Sequence, residues 1–435
     1  MEAGPGEANQ AISLTDRLAA SDKRADAALA HAATKTAVHC PPVVQRDPEL
    51  VQIHAEAGRF FQACLHGSWV PQYLAERGLD AALLPTSPWK IGYAPASWTA
   101  LTEHLRGLGH CDAALLASGL VVNGRNGQLR DHFHDRLMIP LRDADGYVIA
   151  FIGRRPPATG DEHGPRYLNS PDTALFTKGH VLAGLAEGRM FFARGAQPVL
   201  VEGPLDAIAV TIAGTGAFAG VALCGTALTA EQVSALARTV DLGERGIRVA
   251  FDPDAAGRKA AIRAYQHLAP LSDPVAVTLP EGTDPADLLR TSGRDALRET
   301  LHRSSGPLAD LVVDATMEEW AHGRELRFAE LQIGALRAVT SVIAAMPEEH
   351  VGPQAGRLCA LYVERYGWRP EEVTAELIAG IERHYDPGPR LDPSPWAVVM
   401  RATAPPNQRQ TSLSETDVLT RRHLRLVSPP QAGRG

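Results

Sequence analysis

The chain has 435 residues, 45% of them hydrophobic and 21% charged, and at roughly 150 residues per domain this excludes a small single-core fold and leaves room for an enzyme. Its 43 basic residues against 50 acidic ones give a formal net charge of -7 at pH 7. That balance excludes a uniformly basic nucleic-acid binder but not one basic face, which is all that a polyanion needs.

No run of about 18 apolar residues offers a membrane span, and the opening MEAGPGEANQ has neither the basic nor the apolar region of a signal peptide. Five cysteines (Cys40, Cys64, Cys111, Cys224, Cys359) lie far apart without a CxxC pair, which suits a reducing cytoplasm rather than a disulfide framework. His31, His39 and Cys40 lack zinc-ligand spacing, and the pair His132 and His134 reads as a surface strand or turn.

Residues 1–46 are rich in Ala and small polar residues and contain no aromatic; they are expected to form a disordered leader. From Pro48 the segments ELVQIHAEAGRFFQACL and VPQYLAERGLD place apolar residues three and four apart, which predicts amphipathic helices. Phe60, Phe61, Leu65, Trp69 and Tyr73 are the expected core of this unit. WKIGYAP breaks the pattern, and WTALTEHLRGLG and CDAALLASGL resume it. Near residue 127 the period shortens: LMIPL and YVIAFIG flank Asp143-Ala144-Asp145-Gly146, whose Asp-Gly step signals a hairpin.

From Pro198 strands alternate with helices. PVLVEG, VALCG, IRVAFD and VAVTL are apolar runs, separated by LDAIAVTIAG, TAEQVSALARTV and AAGRKAAIRAYQHLA. This rhythm predicts a parallel sheet with right-handed crossovers. Cys224, inside VALCG and with no histidine close in sequence, is expected to be a buried strand residue rather than a nucleophile. Residues 307–388 carry only helical periodicity. Beyond Pro387 the chain is rich in Pro, Ser, Thr and Arg, and residues 401–435 hold six arginines against two acids, which suggests a flexible basic tail.

The carboxylates carry the chemical argument. Ligands of an open parallel sheet bind beyond the carboxyl ends of its strands. Val199–Val201 runs into Glu202, with Asp206 one turn into the next helix; 247–251 runs into Asp252 and Asp254; and 275–279 is followed by Glu281, Asp284 and Asp287. Each acid could be only the N-cap of the following helix. Three converging groups would instead select a hard cation, Mg2+ above all, and suit phosphoryl transfer.

In order and spacing, VLVEGPLDAIAV, CGTALT, VAFDPDAAGRKA and LPEGTDPADLL resemble the Toprim segment of bacterial DnaG-type primases. FHDRLMIPLRDADGYVIAFIGRR and PRYLNSPDTALFTKGHVLAGL resemble the amino-terminal half of the same catalytic core, and YLAERGLD and IGYAPASW its helical lead-in. The likeness runs continuously over about residues 50–300. It implies an α/β chain, α+β overall. A mixed primase-core subdomain over 47–195 precedes a Toprim parallel-sheet domain over 196–305, with a helical domain over 306–388 and the disordered tail over 389–435 to follow.

The resemblance implies Glu202 as metal ligand or general base, Asp252 and Asp254 as Mg2+ ligands, and Asp206 and Asp284 completing a catalytic cluster in which Asp284 also binds metal. The family's further acid falls on Ala286. Asp287, one step later, is the candidate substitute, but one helical residue rotates a side chain by about 100°. Arg136, Arg154, Arg166 and Lys178, with Asn169, lie on positions that the family uses to hold template and nucleotide.

The implied activity is that of a DNA primase, a nucleotidyltransferase making short RNA primers on single-stranded DNA from ribonucleoside triphosphates, with Mg2+ or Mn2+ and no zinc. Its partners would include a replicative helicase or a separate template-recognition protein, and no membrane. The zinc module with which such primases begin is not written in these residues, and no GxxxxGK[ST] provides a helicase motor. Two alternatives stay open: a Toprim nuclease, and a catalytically silent protein binding single-stranded DNA or a replisome partner.

Overall fold

The computed structural model describes residues 46–385, apart from 125–126, 158, 161–163, 224, 226, 304 and 324. The leader up to residue 45, the tail from 386 and Cys224 therefore lie outside the described residues. The chain divides into two units: one ends at Ser305, and the second starts at Gly306 and also takes in Leu268–Pro270.

The first unit opens on helix α1 (Pro48–Ala63), where Asp47 accepts from the Glu49 amide and Pro48 supplies the favoured first-turn proline. Leu50, Ile53, Ala57 and Phe61 share its buried face. Phe61 meets Phe151 edge-on at 5.2 Å, and truncating so buried an aromatic costs about 3–5 kcal/mol. Of the other expected core residues, Tyr73 is buried, while Phe60, Leu65 and Trp69 are half-buried and pack against the core from its edge.

Helix α2 (Val70–Glu76) leads to strand β1 (Gly92–Ala94) and helices α3 (Ala100–Gly107) and α4 (Asp112–Ala117). Strands β2 (Val121–Asn123) and β3 (Leu129–Asp131) form a separate antiparallel pair. Then β4 (Arg136–Arg142) and β5 (Val148–Arg154) pair as the anticipated hairpin. Asp143 Oδ1 accepts from the amides of Asp145 and Tyr147 in the turn. Arg46 clamps the turn through both Asp143 and Asp145. With β6 (Tyr167–Asn169) the antiparallel order is β1-β4-β5-β6.

After α5 (Leu185–Ala193) the chain enters the parallel sheet. Strands β7 (Gln197–Val201), β8 (Phe218–Ala222), β9 (Arg248–Val249) and β10 (Val275–Val277) lie in the order β10-β9-β7-β8. Helices α6 (Pro204–Gly214), α7 (Ala230–Thr239), α8 (Leu242–Arg245), α9 (Ala255–Leu268) and α10 (Pro285–Arg303) connect or follow them. Strands β9 and β10 are shorter than the apolar runs at 247–251 and 275–279. Ala250 still donates to the Leu200 carbonyl, but Pro253 and Pro280 just beyond have no amide to extend a ladder. A two-way bridge between Ala183 and Ala222 fastens the amino-terminal half to the β8 edge of this sheet. One apolar core runs through both halves, from Trp89, Ile91 and Leu137 to Val199, Leu205 and Leu288.

The second unit is built of helices α11 (Leu308–Ala321), α12 (Ala329–Ala344), α13 (Glu348–Tyr366) and α14 (Pro370–Tyr385). Tyr362 is fully buried and donates to the Gln332 carbonyl. Trp368 Nε1 donates to the Gln332 side chain, so one buried glutamine ties α12 to the turn before α14.

Candidate active site

Glu202, Asp252 and Asp284 follow β7, β9 and β10, three adjacent strands, at their carboxyl ends. Glu202 Oε1 accepts from the Asp252 amide at 3.2 Å, which draws the first two strand ends together. Asp206, in the first turn of α6, is buried, and its Oδ1 accepts from the Ala286 amide at 3.1 Å, which ties in the third. Gly257 closes this arrangement. A Cβ built on it would lie 2.0 Å from the Asp252 carbonyl oxygen and 3.0 Å from Glu202 Oε1, so only glycine lets the first turn of α9 approach both strand ends.

The N-cap reading is realised as well. Asp254 Oδ1 accepts from the Gly257 amide at 2.7 Å, and Asp284 Oδ1 accepts from the Asp287 amide at 2.6 Å. Each therefore caps its helix with one oxygen, and a carboxylate has a second. Capping and ligation are not alternatives here.

The electrostatics follow from this crowding. Burial, then the neighbouring Glu202, Asp284 and Asp254, push the Asp252 carboxyl up to about 6, while Arg166 pulls the other way. Burial raises Glu202, and Asp254 and Asp284 add to it. Burial and the adjacent Asp284 hold Asp206 well above the usual carboxylate range. Four or five carboxylates thus repel one another across a half-buried space, which a cation would relieve. The donors are oxygen only and fit a hard divalent ion. Among the described residues, however, no three His, Cys, Asp or Glu side chains close into a ready-made cage.

The five basic or polar candidates separate into two groups. Arg136 is buried and donates to the carbonyls of Gly153 at 3.1 Å and Pro165 at 3.0 Å. Arg154 is buried with its guanidinium 4.5 Å from the Tyr73 ring and 5.7 Å from that of Tyr167. These two side chains build the wall. Arg166 is exposed, and Asn169 and Lys178 are half-buried. Gly225, in the loop after β8 and at φ +77°, sits where an added Cβ would be 3.6 Å from Lys178 Nζ and 3.7 Å from Asn169 Nδ2. The Ala183–Ala222 bridge sets this meeting of the amino-terminal half with the strand ends of the parallel sheet.

Asp287 points elsewhere. Its Oδ1 pairs with Arg77 Nη1 at 3.6 Å and Arg290 Nε at 3.3 Å. Arg77 in turn lies over the Tyr73 ring at 5.3 Å. A ladder of alternating cation and ring, Arg77, Tyr73, Arg154, Tyr167, Arg166, therefore runs from Asp287 toward Asp252. Such contacts contribute about 0.5–2 kcal/mol each.

Sequence reasoning missed Tyr73 and Arg77 in these roles, and also Trp98. The Trp98 ring is 51% exposed, stacks on His134 at 4.0 Å and 12°, and has the Arg130 guanidinium 5.1 Å away. The Asp131 amide donates to the Trp98 carbonyl, and the Asp131 carboxylate caps α3 through the amides of Leu101 and Thr102, so the ring stands on a fixed base. An exposed indole beside an arginine is a surface on which an unpaired base stacks. The available signal was an aromatic placed just ahead of a helix start rather than within its apolar stripe.

The family model for the DNA primase catalytic core, N-terminal domain, matches residues 60–189, and that for Toprim-like domains matches 199–289. The chain is 34% identical over 360 residues to the DNA primase of Mycolicibacterium smegmatis, covering 80% of this chain and 54% of that one. It is 39% identical over 229 residues to that of Streptomyces coelicolor, covering 52% and 35%. Among solved structures it is similar to the RNA polymerase domain of Mycobacterium tuberculosis primase DnaG, with a TM-score of 0.62 and 32% identity over 74% of this chain and 99% of that one. It is also similar to a DnaG primase catalytic domain bound to single-stranded DNA, with a TM-score of 0.59 and 27% identity over 74% and 98%. The chain thus spans about half the length or less of these two curated relatives, and nearly the whole of the two solved domains.

Proposed function

The chain belongs to the bacterial DNA primase family, and from that premise we propose that it synthesises short RNA primers on single-stranded DNA from ribonucleoside triphosphates. The observation that carries this reading is that cations stand by the carboxylates: Arg166 acts on Asp252, and Lys178, with the amide of Asn169, meets Gly225 in the loop after β8 of the same sheet. A template and a triphosphate bring negative charge to a negative site, so fixed cations opposite it are needed to hold them.

Membership of this family implies use of a divalent metal. Glu202, Asp252, Asp254 and Asp284 would hold it, as Mg2+ or Mn2+, and it would offset the charge that develops on the transferred phosphoryl group. Asp206, buried and held by the Ala286 amide, supports the cluster. Arg166, Asn169 and Lys178 would grip triphosphate or template, while Arg136 and Arg154 fix the wall from which they reach. Asp287, engaged by two arginines, is left out of the ligand set. Trp98 with Arg130 and His134 would stack a template base.

Related primase domains have been solved bound to double-stranded and to single-stranded DNA, which supports a DNA template here. A helicase or template-recognition protein would raise initiation, and the work would be done in the cytoplasm; among the described residues no helix is long and apolar enough to cross a membrane.

The test is primer synthesis on single-stranded DNA with labelled ribonucleotides and Mg2+. Product that is unchanged in Asp252→Asn would refute the site. Shortening of the DNA with no extension would convert the reading to a nuclease using the same ions.

A further inference from the structure

A cleft of about 500 Å³ lies within the second unit, lined by Arg337 and Ser341 of α12 and by Gly380, Arg383 and His384 of α14. It exists because of Gly380. A Cβ built there would meet Thr340 Cγ2 at 2.4 Å, so the two helices touch at this point and the floor between the flanking residues carries no side chain.

The charge in the cleft is unbalanced. Arg337 gives Nε and Nη2 to the two oxygens of Glu376, each at 3.0 Å. This ion pair holds the guanidinium plane fixed and leaves Nη1 without a partner among the described residues. Glu376 is held below its ordinary range by that hydrogen bond, with Arg383 also acting on it. Arg383 itself has no hydrogen-bond or ion-pair partner among the described residues. One acid is therefore spent on one arginine, while a second arginine stands beside them.

We propose that this cleft binds a phosphate group between Arg337 Nη1 and the Arg383 guanidinium. Two guanidinium groups on different helices approach an anion from two directions, which suits a tetrahedral phosphate better than a planar carboxylate that one arginine satisfies. The volume is in the range of small-molecule sites, but the lining has no Phe, Tyr, Trp or large apolar side chain, so recognition is of phosphate rather than of a base. The phosphate could come from a free polyphosphate or from a nucleic-acid backbone. The proposal is independent of the carboxylate site.

The experiment uses the full chain in EDTA, with inorganic pyrophosphate titrated calorimetrically and a single-stranded oligonucleotide measured by anisotropy. Lys178→Ala serves as the parent, so that binding at the first unit's cations is reduced in every sample. Adding Arg383→Ala is expected to weaken pyrophosphate by about tenfold or more, and Arg383→Glu to abolish it. Arg383 lies on a helix surface and supports no contact in the core, so both variants keep the fold, which circular dichroism verifies.

If the oligonucleotide's salt slope between about 50 and 200 mM also falls by roughly one contact, the backbone is the source. If only pyrophosphate binding falls, the source is a free phosphate compound. Pyrophosphate affinity within twofold of the parent in both variants overturns the proposal, whatever the oligonucleotide does.

Discussion

Replacing Gly257 by alanine tests whether the acidic site depends on close backbone approach. The new methyl would start 2.0 Å from the Asp252 carbonyl oxygen, and real Cβ atoms essentially never come within 3.0 Å. The first turn of α9 must therefore retreat from the end of β9 by at least about 1 Å, and a misplacement of that size in a catalytic constellation costs on the order of 100-fold in rate. The same retreat strains the 2.7 Å bond from the Gly257 amide to Asp254. Losing such a cap costs about 1 kcal/mol, and overpacking adds about 1–3 kcal/mol. A destabilisation of about 2–4 kcal/mol lowers the melting temperature by roughly 5–15 °C in a unit of this size.

Primer synthesis on single-stranded DNA reads the first effect and thermal unfolding the second, at a temperature where the variant remains folded. Gly356→Ala is the control, since nothing beyond its own helix and chain neighbours lies within 4 Å of a Cβ there; on an exposed helix it should raise stability by about 0.4–1 kcal/mol and leave synthesis alone. A Gly257→Ala protein that synthesises primers within threefold of the parent would refute the argument. Near-normal rate would mean that the strand ends do not need their present spacing.

Asp284→Asn should lose roughly 100-fold or more in primer synthesis. Asp287→Asn should stay within about threefold, since its partly exposed pairs with Arg77 and Arg290 contribute only about 0–1 kcal/mol; equal losses would put Asp287 back among the ligands. Trp98→Ala should weaken single-stranded DNA binding by about 1–3 kcal/mol while Trp98→Phe keeps most of it, as fluorescence anisotropy would measure; an unchanged affinity for the alanine variant removes the stacking surface.

Burial pushes Glu187 up to about 7 despite its 3.1 Å pair with Arg142. The folded protein therefore holds a proton there that the unfolded chain has released, and stability falls as pH rises from about 4.5 through 7. Glu187→Gln should flatten that slope, which amounts to up to about 3 kcal/mol. Parallel slopes for variant and parent in urea melts at pH 5 and pH 8 would contradict it.

The alternating apolar runs and the acids that end them were readable because both are local. Strand period, crossover helix and strand-end carboxylate all fall within a few residues of one another. The fate of the arginines was not local. Arg136 and Arg154 occupy the same strand pair as their apolar neighbours, and nothing in their spacing tells that one turns onto two carbonyls and the other between two tyrosines. Asp287 was left undecided on rotation alone, and what diverts it is Arg77, some 210 residues earlier in the chain. Trp98 was absorbed into a helical pattern that in fact begins at Ala100. His134, read as part of a surface strand or turn, joins the same surface where β3 brings Asp131 under α3.

The capping bonds of Asp254 and Asp284 bear on how the proposed metal site would stand without an ion. Because one oxygen of each is already committed to the start of α9 or α10, those helices have their ends satisfied before any cation arrives. If the carboxylates hold a metal as proposed, chelation should then empty the centre without unravelling it. The converse is a restriction on mutation: a change that spares every carboxylate but moves where either helix begins would disrupt the proposed site as completely as removing an acid.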